Sequence, residues 1–235
     1  MSSPAGASAA LVGAALSLLG CGAGAPLLHP AHVLNPGNVS AGAGLSGELS
    51  LGAASIPADG STLAQLAAAP GVAPWINARV GLVGDNEAGL TYTGRSLRLD
   101  ARHAFALGTA ALSVGLGGSV LAPVRPGNDV GGSVFGGGVD VPVLFGVHSK
   151  SDLYALWIGP RGGFEALNGE VLGTHVSARH LFGGFVFGVR GGFRHVHVAL
   201  ELDGAYHRAD GTLFGASAGA SLFALTPSGA LLLSF

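Results

Sequence analysis

The stretch RHVHVALELDGAYHR, Arg194 to Arg208, decides the fold of this 235-residue chain. Its apolar side chains occupy even positions and most of its polar side chains occupy odd positions. The even set is Val196, Val198, Leu200, Leu202 and Tyr206, and the odd set is His195, His197, Glu201, Asp203 and His207. Successive side chains of a β-strand point to opposite faces, so a period of two predicts a strand with one apolar and one polar face.

The same period recurs from residue 38 to the end of the chain, which predicts an all-β protein. The predicted strands cover 38–52, 72–83, 87–94, 95–105, 109–122, 131–148, 152–166, 178–191, 194–208 and 219–235. Between residues 87 and 105 the apolar set moves from even to odd positions, which indicates either a bulge or a tight turn at Gly94-Arg95. A meander that closes on itself antiparallel needs an even number of strands, so a turn there makes about ten, within a range of eight to twelve.

The composition favours a membrane as the surroundings of these strands. Charged residues make up 10% of the chain and the mean hydropathy is +0.53, whereas soluble domains carry about 25% charged residues. Beyond Leu28 no charge-free run reaches the roughly 18 apolar residues of a spanning helix. A soluble sandwich would also alternate, but the strand length and the low outward charge predict a closed antiparallel up-and-down transmembrane β-barrel over residues 38–235.

The connections predict which way the barrel is oriented. If both chain ends are periplasmic, the short connections near 84–86, 106–108, 149–151 and 192–193 lie on the periplasmic side. The longer ones near 53–71, 123–130, 167–177 and 209–218 then lie outside, as in known transmembrane barrels. The longest of these contains Ser61 to Gly71, the one stretch beyond the N-terminus that predicts a short helix.

The chain ends in ALLLSF, with Leu231, Leu233 and Phe235 on one face of the last predicted strand. This ending resembles the C-terminal signal of bacterial outer-membrane β-barrel proteins, which finishes in an aromatic residue, usually Phe. The resemblance implies that the barrel-assembly machinery reads this strand during folding. It also implies a location in the bacterial cell outer membrane, with membrane lipid around the outward face.

The N-terminus reads as an export signal, because Ala5 to Leu19 is apolar and uncharged. The tetrapeptide Leu18-Leu19-Gly20-Cys21 resembles a bacterial lipobox, which implies that residues 1–20 are a signal peptide, that cleavage occurs before Cys21 and that Cys21 is lipidated. Residues 21–37 would then form a periplasmic linker. An ordinary signal peptide cut after Ala23-Gly24-Ala25 and a membrane helix over Ala5 to Leu28 are the alternatives.

The inward face of the predicted barrel carries charges in near balance. Five arginines and six carboxylates are assigned to it: Glu48, Arg79, Arg98, Asp100, Arg102, Asp140, Arg161, Glu165, Arg190, Glu201 and Asp203. Arginine forks satisfy carboxylates bidentately, which predicts a salt-bridged lumen. Several other inward positions are small, namely Ser113, Gly115, Gly117, Ser119, Gly136 and Gly138. They favour a narrow passage for small solutes, so a structural barrel and a passage both remain open.

Two patterns suggest chemistry at a site. His175-Val176-Ser177 is similar to the His-x-Ser pair of outer-membrane lipid A deacylases, which implies His175 and Ser177 as catalytic residues of an enzyme at the extracellular rim. His195 and His197 have a spacing that suits a metal ion, but a third ligand would have to come from another strand. Outer-membrane omptin proteases also have ten strands, but no motif of theirs is present.

The remaining partner predictions are negative. The sequence contains no phosphate loop, dinucleotide fingerprint or zinc-finger spacing, so no cofactor is predicted. The net charge of −2 and the single lysine, Lys150, give no reason to expect nucleic acid. The functional prediction is therefore a structural or small-solute passage role through a narrow lumen, with the rim enzyme as the alternative. No particular solute is indicated.

Overall fold

The computed structural model describes residues 24–55, 68, 70–124, 132–171, 173–213 and 215–235. The predicted signal peptide, Cys21 and most of the predicted helix at Ser61 to Gly71 lie outside these residues. The described residues form ten strands: β1 (Val39–Ser55), β2 (Gly71–Leu82), β3 (Asn86–Tyr92), β4 (Ser96–Leu107), β5 (Ala110–Val124), β6 (Gly132–His148), β7 (Tyr154–Val171), β8 (Thr174–Phe193), β9 (Val196–Leu213) and β10 (Ala216–Ser234). Among the described residues no helix is long and apolar enough to span a membrane.

Every strand pairs antiparallel with its neighbour in sequence, and β1 pairs with β10 to close the sheet. The closing edge extends to the last residue: the Val39 amide donates to the Phe235 carbonyl at 3.0 Å, and the Phe235 amide donates to the Val39 carbonyl at 2.8 Å. The predicted closed up-and-down barrel of ten strands is confirmed. Closure leaves no sheet edge whose polar groups would face lipid.

The turn predicted at Gly94-Arg95 separates β3 from β4. Gly94 has a φ of +70°, a conformation that glycine adopts without steric cost. The Thr93 amide donates to the Ser96 carbonyl at 3.0 Å across the turn. The change of apolar phase in this region therefore marks a tight hairpin and not a bulge.

The outer surface of the barrel carries an apolar band. On β9, Val198, Leu200 and Leu202 point outward and are 53%, 56% and 44% exposed. Exposed aromatic residues flank the band: Phe105, Tyr154 and Phe193 near the end that holds the chain termini, and Tyr92, Phe164, Tyr206 and Phe223 near the other. The outward apolar stretch from Val196 to Tyr206 matches the roughly 9–11 residues of a tilted transmembrane strand. The chain is an outer-membrane β-barrel, and we call the end that holds its termini the periplasmic end, as the sequence predicts.

The predicted outer loops at 167–177 and 209–218 are wrong, because β7 to β10 continue through most of these residues. Tight connections that include Gly173 and Gly215, with φ of +73° and +78°, join the strands in pairs. The two ends of the barrel therefore differ because β7 to β10 extend beyond the apolar band at the end opposite the chain termini.

The physical reason for this error is that the two-residue alternation continues beyond the apolar band with its two faces exchanged. There the polar side chains point outward and the apolar side chains point inward. In the extension of β8, Val176 and Ala178 point inward and are buried, whereas Arg179 is exposed. Arg208 and Asp210 of β9 are also exposed. Water surrounds this part of the wall, so the polar set faces out. The inward cluster consists of Ala68, Leu121, Val134, Leu167, Val176, Ala178, Ala209, Ala220, Leu222 and Ala224.

The N-terminal segment also differs from the prediction. Residues 24–37, predicted as part of a periplasmic linker, extend into the barrel, and we call them the plug. Leu27, Leu28 and Ala31 are 2%, 1% and 0% exposed. They share an apolar cluster with inward side chains of the wall, including Trp75 and Trp157. These two large inward indoles supply the apolar surface that holds the plug.

The exchange of faces can be tested on one strand. Leu200→Arg should destabilise the barrel by about 2–4 kcal/mol, the penalty for arginine on the lipid face near the bilayer midplane. Thr212→Arg lies on the same face of β9 but beyond the apolar band, and should change stability by about 0–1 kcal/mol. Equilibrium unfolding in urea from lipid vesicles measures both values. Equal losses for the two variants would contradict the assigned membrane boundary.

Candidate functional site in the barrel lumen

A continuous series of alternating arginines and carboxylates runs across the inward faces of the strands. We call it the charge ladder, and its order is Arg102, Glu87, Arg79, Asp100, Arg98, Asp140, Arg161 and Asp203. Arg79 Nη2 lies 2.5 Å from Asp100 Oδ1, and Arg98 Nε lies 2.7 Å from Asp140 Oδ1. None of these side chains is more than 11% exposed. Each ladder charge therefore has an opposite charge beside it, which offsets the loss of water.

Glycines on the wall make room for the ladder. A Cβ atom at Gly117 would lie 2.5 Å from Asp140 Oδ1 and also against the guanidinium of Arg98. A Cβ at Gly138 would lie 2.6 Å from Cγ of Glu165. The small residues of β5 and β6, predicted as the lining of an open passage, thus accommodate large side chains of neighbouring strands and leave less empty space than expected.

Glu87 belongs to the ladder although it is not in the inward set predicted from the sequence. It is 1% exposed, pairs with Arg79 and Arg102, and accepts a 2.8 Å hydrogen bond from the Leu34 amide. Glu87 lies on the face of β3 opposite to that of Leu90, which points outward. The alternation could have identified it, but the short strand begins at Asn86 and offers few residues from which to establish the period.

A second polar cluster lies nearer the outer end. Glu165 Oε2 is 2.9 Å from His180 Nδ1 and 3.4 Å from Arg95 Nη2. His180 Nε2 is in turn 2.9 Å from His207 Nδ1. These side chains line a cavity of about 60 Å³ together with Glu48 and others. Glu48 is 3% exposed, and its Oε1 has no hydrogen-bond partner among the described residues.

Glu201 forms hydrogen bonds with the plug and, among the described residues, no salt bridge with an arginine, which differs from the pairing expected of it. It is 4% exposed and accepts hydrogen bonds from the amides of Leu27 and Leu28 at 2.6 and 2.8 Å. It also accepts one from the indole Nε1 of Trp157 at 3.0 Å. Three donors therefore compensate the buried carboxylate.

Other wall side chains bind the main chain of the plug at both of its ends. Arg102 donates to the carbonyl of His32 at 3.0 Å and also to the carbonyl of Pro30. Arg161 donates to the carbonyl of Ala25, and Ser46 Oγ donates to the carbonyl of Gly24 at 2.9 Å. Side chains of β1, β3, β4, β7 and β9 therefore bind the backbone of the plug, in addition to the apolar contacts of its side chains with Trp75 and Trp157.

The periplasmic mouth contains a cavity of about 450 Å³ below the plug. Arg190 lies here and pairs with Asp152 of the β6–β7 turn, so it is not part of the charge ladder as predicted. The rings of His32 and His148 meet with centroids 3.8 Å apart. Burial beside His148 lowers the pKa of His32 to about 4.

The two histidines considered as metal ligands lie in different surroundings. His195 is exposed in the β8–β9 turn, with Nδ1 2.8 Å from the Ser234 carbonyl. His197 is 1% exposed, with Nε2 3.1 Å from the Asp152 carbonyl. Within the part of the chain that the structure describes, no three His, Cys, Asp or Glu residues are arranged to hold a metal ion.

The structure places His175 and Ser177 on the outward face of the β8 extension. His175 is exposed and lies opposite Glu170 of β7. Val176 between them points inward and is 0% exposed. The structure does not bring the two side chains into the lumen.

The apolar exterior, the paired charges inside and the plug define the class of protein: an outer-membrane β-barrel with an occupied lumen.

The sequence matches no protein-family model and no curated protein. Among solved structures, neisserial surface protein A is 13% identical with a TM-score of 0.35, covering 84% of this chain and 96% of that one. An outer-membrane channel from Pseudomonas putida F1 is 9% identical with a TM-score of 0.37, covering 90% and 100%. The protease OmpT from Escherichia coli is 10% identical with a TM-score of 0.32, covering 87% and 100%. At these values the similarities carry no functional inference.

Two adjacent glycines of β5 test the ladder. Gly117→Ala should displace the bidentate contact between Arg98 and Asp140 and destabilise the barrel by about 1.5–3 kcal/mol, the range for hydrogen bonds to charged groups. Gly118→Ala is the matched control, because a Cβ there meets no atom within 4 Å. Urea unfolding from vesicles compares the two variants, and an equal stability of both would show that the space over Gly117 is not needed by the ladder.

Proposed function

We propose that this outer-membrane barrel passes small solutes and that the plug closes the passage. The observation that carries the proposal is that the plug separates the two cavities of the lumen. Gly24 and Ala25 line the outer cavity, and residues 28–30 and 32–35 line the cavity at the periplasmic mouth. We infer that removal of the plug would join these two spaces along the barrel axis.

The position of the ladder supports this role. Its arginine–carboxylate pairs lie close against the glycines of the wall, as the near contacts at Gly89 and Gly117 show. The plug fills space between that wall and the apolar inward surface formed by Trp75, Trp157 and Val186. Removal of the plug would therefore expose a polar wall that solutes and water can follow.

The charges of the lumen indicate what would pass most easily. Seven inward carboxylates face five arginines: Glu48, Glu87, Asp100, Asp140, Glu165, Glu201 and Asp203 against Arg79, Arg95, Arg98, Arg102 and Arg161. With neutral histidines the excess is two negative charges. A narrow lumen of this sign favours cations and small neutral solutes over anions.

Single-channel conductance in planar bilayers tests the passage. A chain that begins at residue 38 should conduct, with a preference for K⁺ over Cl⁻, whereas one that begins at residue 24 should stay closed. Glu201→Gln in the longer chain should raise the open fraction several-fold, because an amide cannot accept all three hydrogen bonds of the carboxylate.

Glu170→Gln is the matched control for Glu201→Gln, since Glu170 is exposed on the outward face of β7. It should leave the closed state unchanged. Heat-modifiable migration in gels verifies that each chain has folded. If the folded chain from residue 38 conducts no more than the longer chain, the passage role fails and a structural role accounts for the barrel.

The pH should also control the plug through His32. The groups that face this imidazole are His148, Asp152, Arg190 and Arg102. The pKa of His32 in the plugged barrel is about 4, below its ordinary value of about 6.5, so the released segment binds the proton more readily. Neutral His32 therefore favours the plugged state fully above pH 6.5, and this preference for the plugged state declines as the pH falls towards 4. For the chain that begins at residue 24, the conductance should increase as the pH is lowered from 7 to 4.5. In the His32→Asn variant this increase should be much smaller. A pH response identical in the variant would contradict this role of His32.

A further inference from the structure

The cavity at the periplasmic mouth is rich in positive charge. Five cationic and two carboxylate side chains line it: Arg79, Arg102, Lys150, Arg190 and Arg194 against Glu87 and Asp152. With neutral histidines the cations are in excess by three, and a terminal carboxylate at Phe235, which also lines the cavity, would leave an excess of two. The outer cavity has the opposite sign, because three carboxylates and two arginines line it. The periplasmic mouth is therefore the end of the lumen that attracts anions.

Arg190 lines this cavity with one buried donor unused. Its side chain is 10% exposed, and its Nη2 donates to Asp152. Its Nε is buried and has no hydrogen-bond partner among the described residues. A guanidinium keeps its charge in proteins, so this Nε always carries a hydrogen. A buried N–H without an acceptor is unfavourable, and an oxyanion beside Arg190 would supply the acceptor.

His29 of the plug supplies a second buried donor. It is 4% exposed, and its Nδ1 lies 2.7 Å from Arg102 Nη1. Because a guanidinium can only donate, this Nδ1 accepts, and the hydrogen of the neutral ring is on Nε2. The other contact of Nδ1, to the Pro30 carbonyl, is longer at 3.4 Å. Nε2 is buried and has no partner in the described part of the chain.

We propose that the periplasmic mouth is a binding site for a small oxyanion that carries a carboxylate or phosphate group. Arg190 Nε and His29 Nε2 donate to its oxygens. The exposed side chains of Lys150 and Arg194 also line the cavity and add positive charge. A planar guanidinium suits both carboxylate and phosphate. The cavity volume of about 450 Å³ is that of a site for a small molecule.

The proposed site lies between the plug and the wall. His29 belongs to the plug, whereas Arg190 belongs to β8 and Lys150 to the β6–β7 turn. A bound oxyanion therefore contacts both parts of the molecule. Binding requires only the plugged barrel and does not depend on whether solutes pass through it.

Isothermal titration calorimetry of the protein purified from the outer membrane tests the binding. Inorganic phosphate and citrate are the probes, and potassium chloride at equal ionic strength is the reference. Binding of both anions supports a site for oxyanions in general, and binding of only one identifies the group that the site prefers. If neither anion binds at millimolar concentration, the proposal is overturned.

The variant Arg190→Gln locates the site. It should weaken binding by about tenfold or more, because a charge-assisted hydrogen bond is lost. Asp152 is 54% exposed, so water can solvate it in this variant. Arg208→Gln is the matched control, since Arg208 also pairs with an aspartate, Asp210, but lies on the outward face of β9. It should leave binding unchanged, and an equal loss in both variants overturns the proposal.

A measurement on the wild type locates the site without any variant. Lys150 is the only lysine of the chain and lines the cavity. The anion that binds should slow the reaction of Lys150 with a succinimidyl ester several-fold, whereas chloride at equal ionic strength should not. Mass spectrometry of peptides is the readout, and unfolding in urea should remove the protection. If the anion binds but Lys150 reacts at an unchanged rate, the anion is bound elsewhere and the proposal is overturned.

Discussion

A bilayer offers no hydrogen-bonding partner to a peptide group, and the whole structure follows from this constraint. A spanning sheet must close on itself, and here the final residue contributes to the closure through both main-chain bonds between Val39 and Phe235. Closure then divides every strand into a face towards lipid and a face towards the lumen. The apolar residues must take the first and the charges the second, which is why Leu200 and Glu201 are neighbours in sequence and lie on opposite sides of the wall.

The same constraint acts a second time inside the barrel. The lumen is narrow, so its charges lose water and need partners within the protein. The charge ladder meets this need with side chains of several strands. Glycines such as Gly117 leave room for an arginine of one strand to cross the adjacent strand and bind a carboxylate on the next. Where no opposite charge is available, as at Glu201, the backbone of the plug supplies the donors. Lumen charges and plug are thus complementary parts of one polar interior.

Much of this could be predicted from the sequence. The period of two identified the strands and most of the inward set from Arg79 to Asp203, because each depends only on which face a residue occupies. The low outward charge and the strand length were needed for the transmembrane barrel, and the requirement for closure was needed for the count of ten. Pairing partners could not be read in this way: Arg98 reaches Asp140 across β5, and nothing in the sequence records that distance. The plug has no period, so residues 24–37 looked like a linker. The outer ends of the strands were missed because the alternation continues there with polar side chains outward and apolar side chains inward. This reversal was taken for the end of the strand.

That exchange of faces also sets the height of the barrel in the membrane. Along β9, a single residue lies between the outward Tyr206 and the outward Arg208, so the change from lipid to water is confined to one step of the wall. An inward shift of the barrel by a few ångströms would press charged groups such as Arg179 and Arg208 into hydrocarbon, and an outward shift would expose the aromatic residues of the outer rim to water. The extension beyond this step has its own apolar interior, like a small water-soluble β-structure continuous with a membrane protein. It acts as a collar that holds the barrel at one depth.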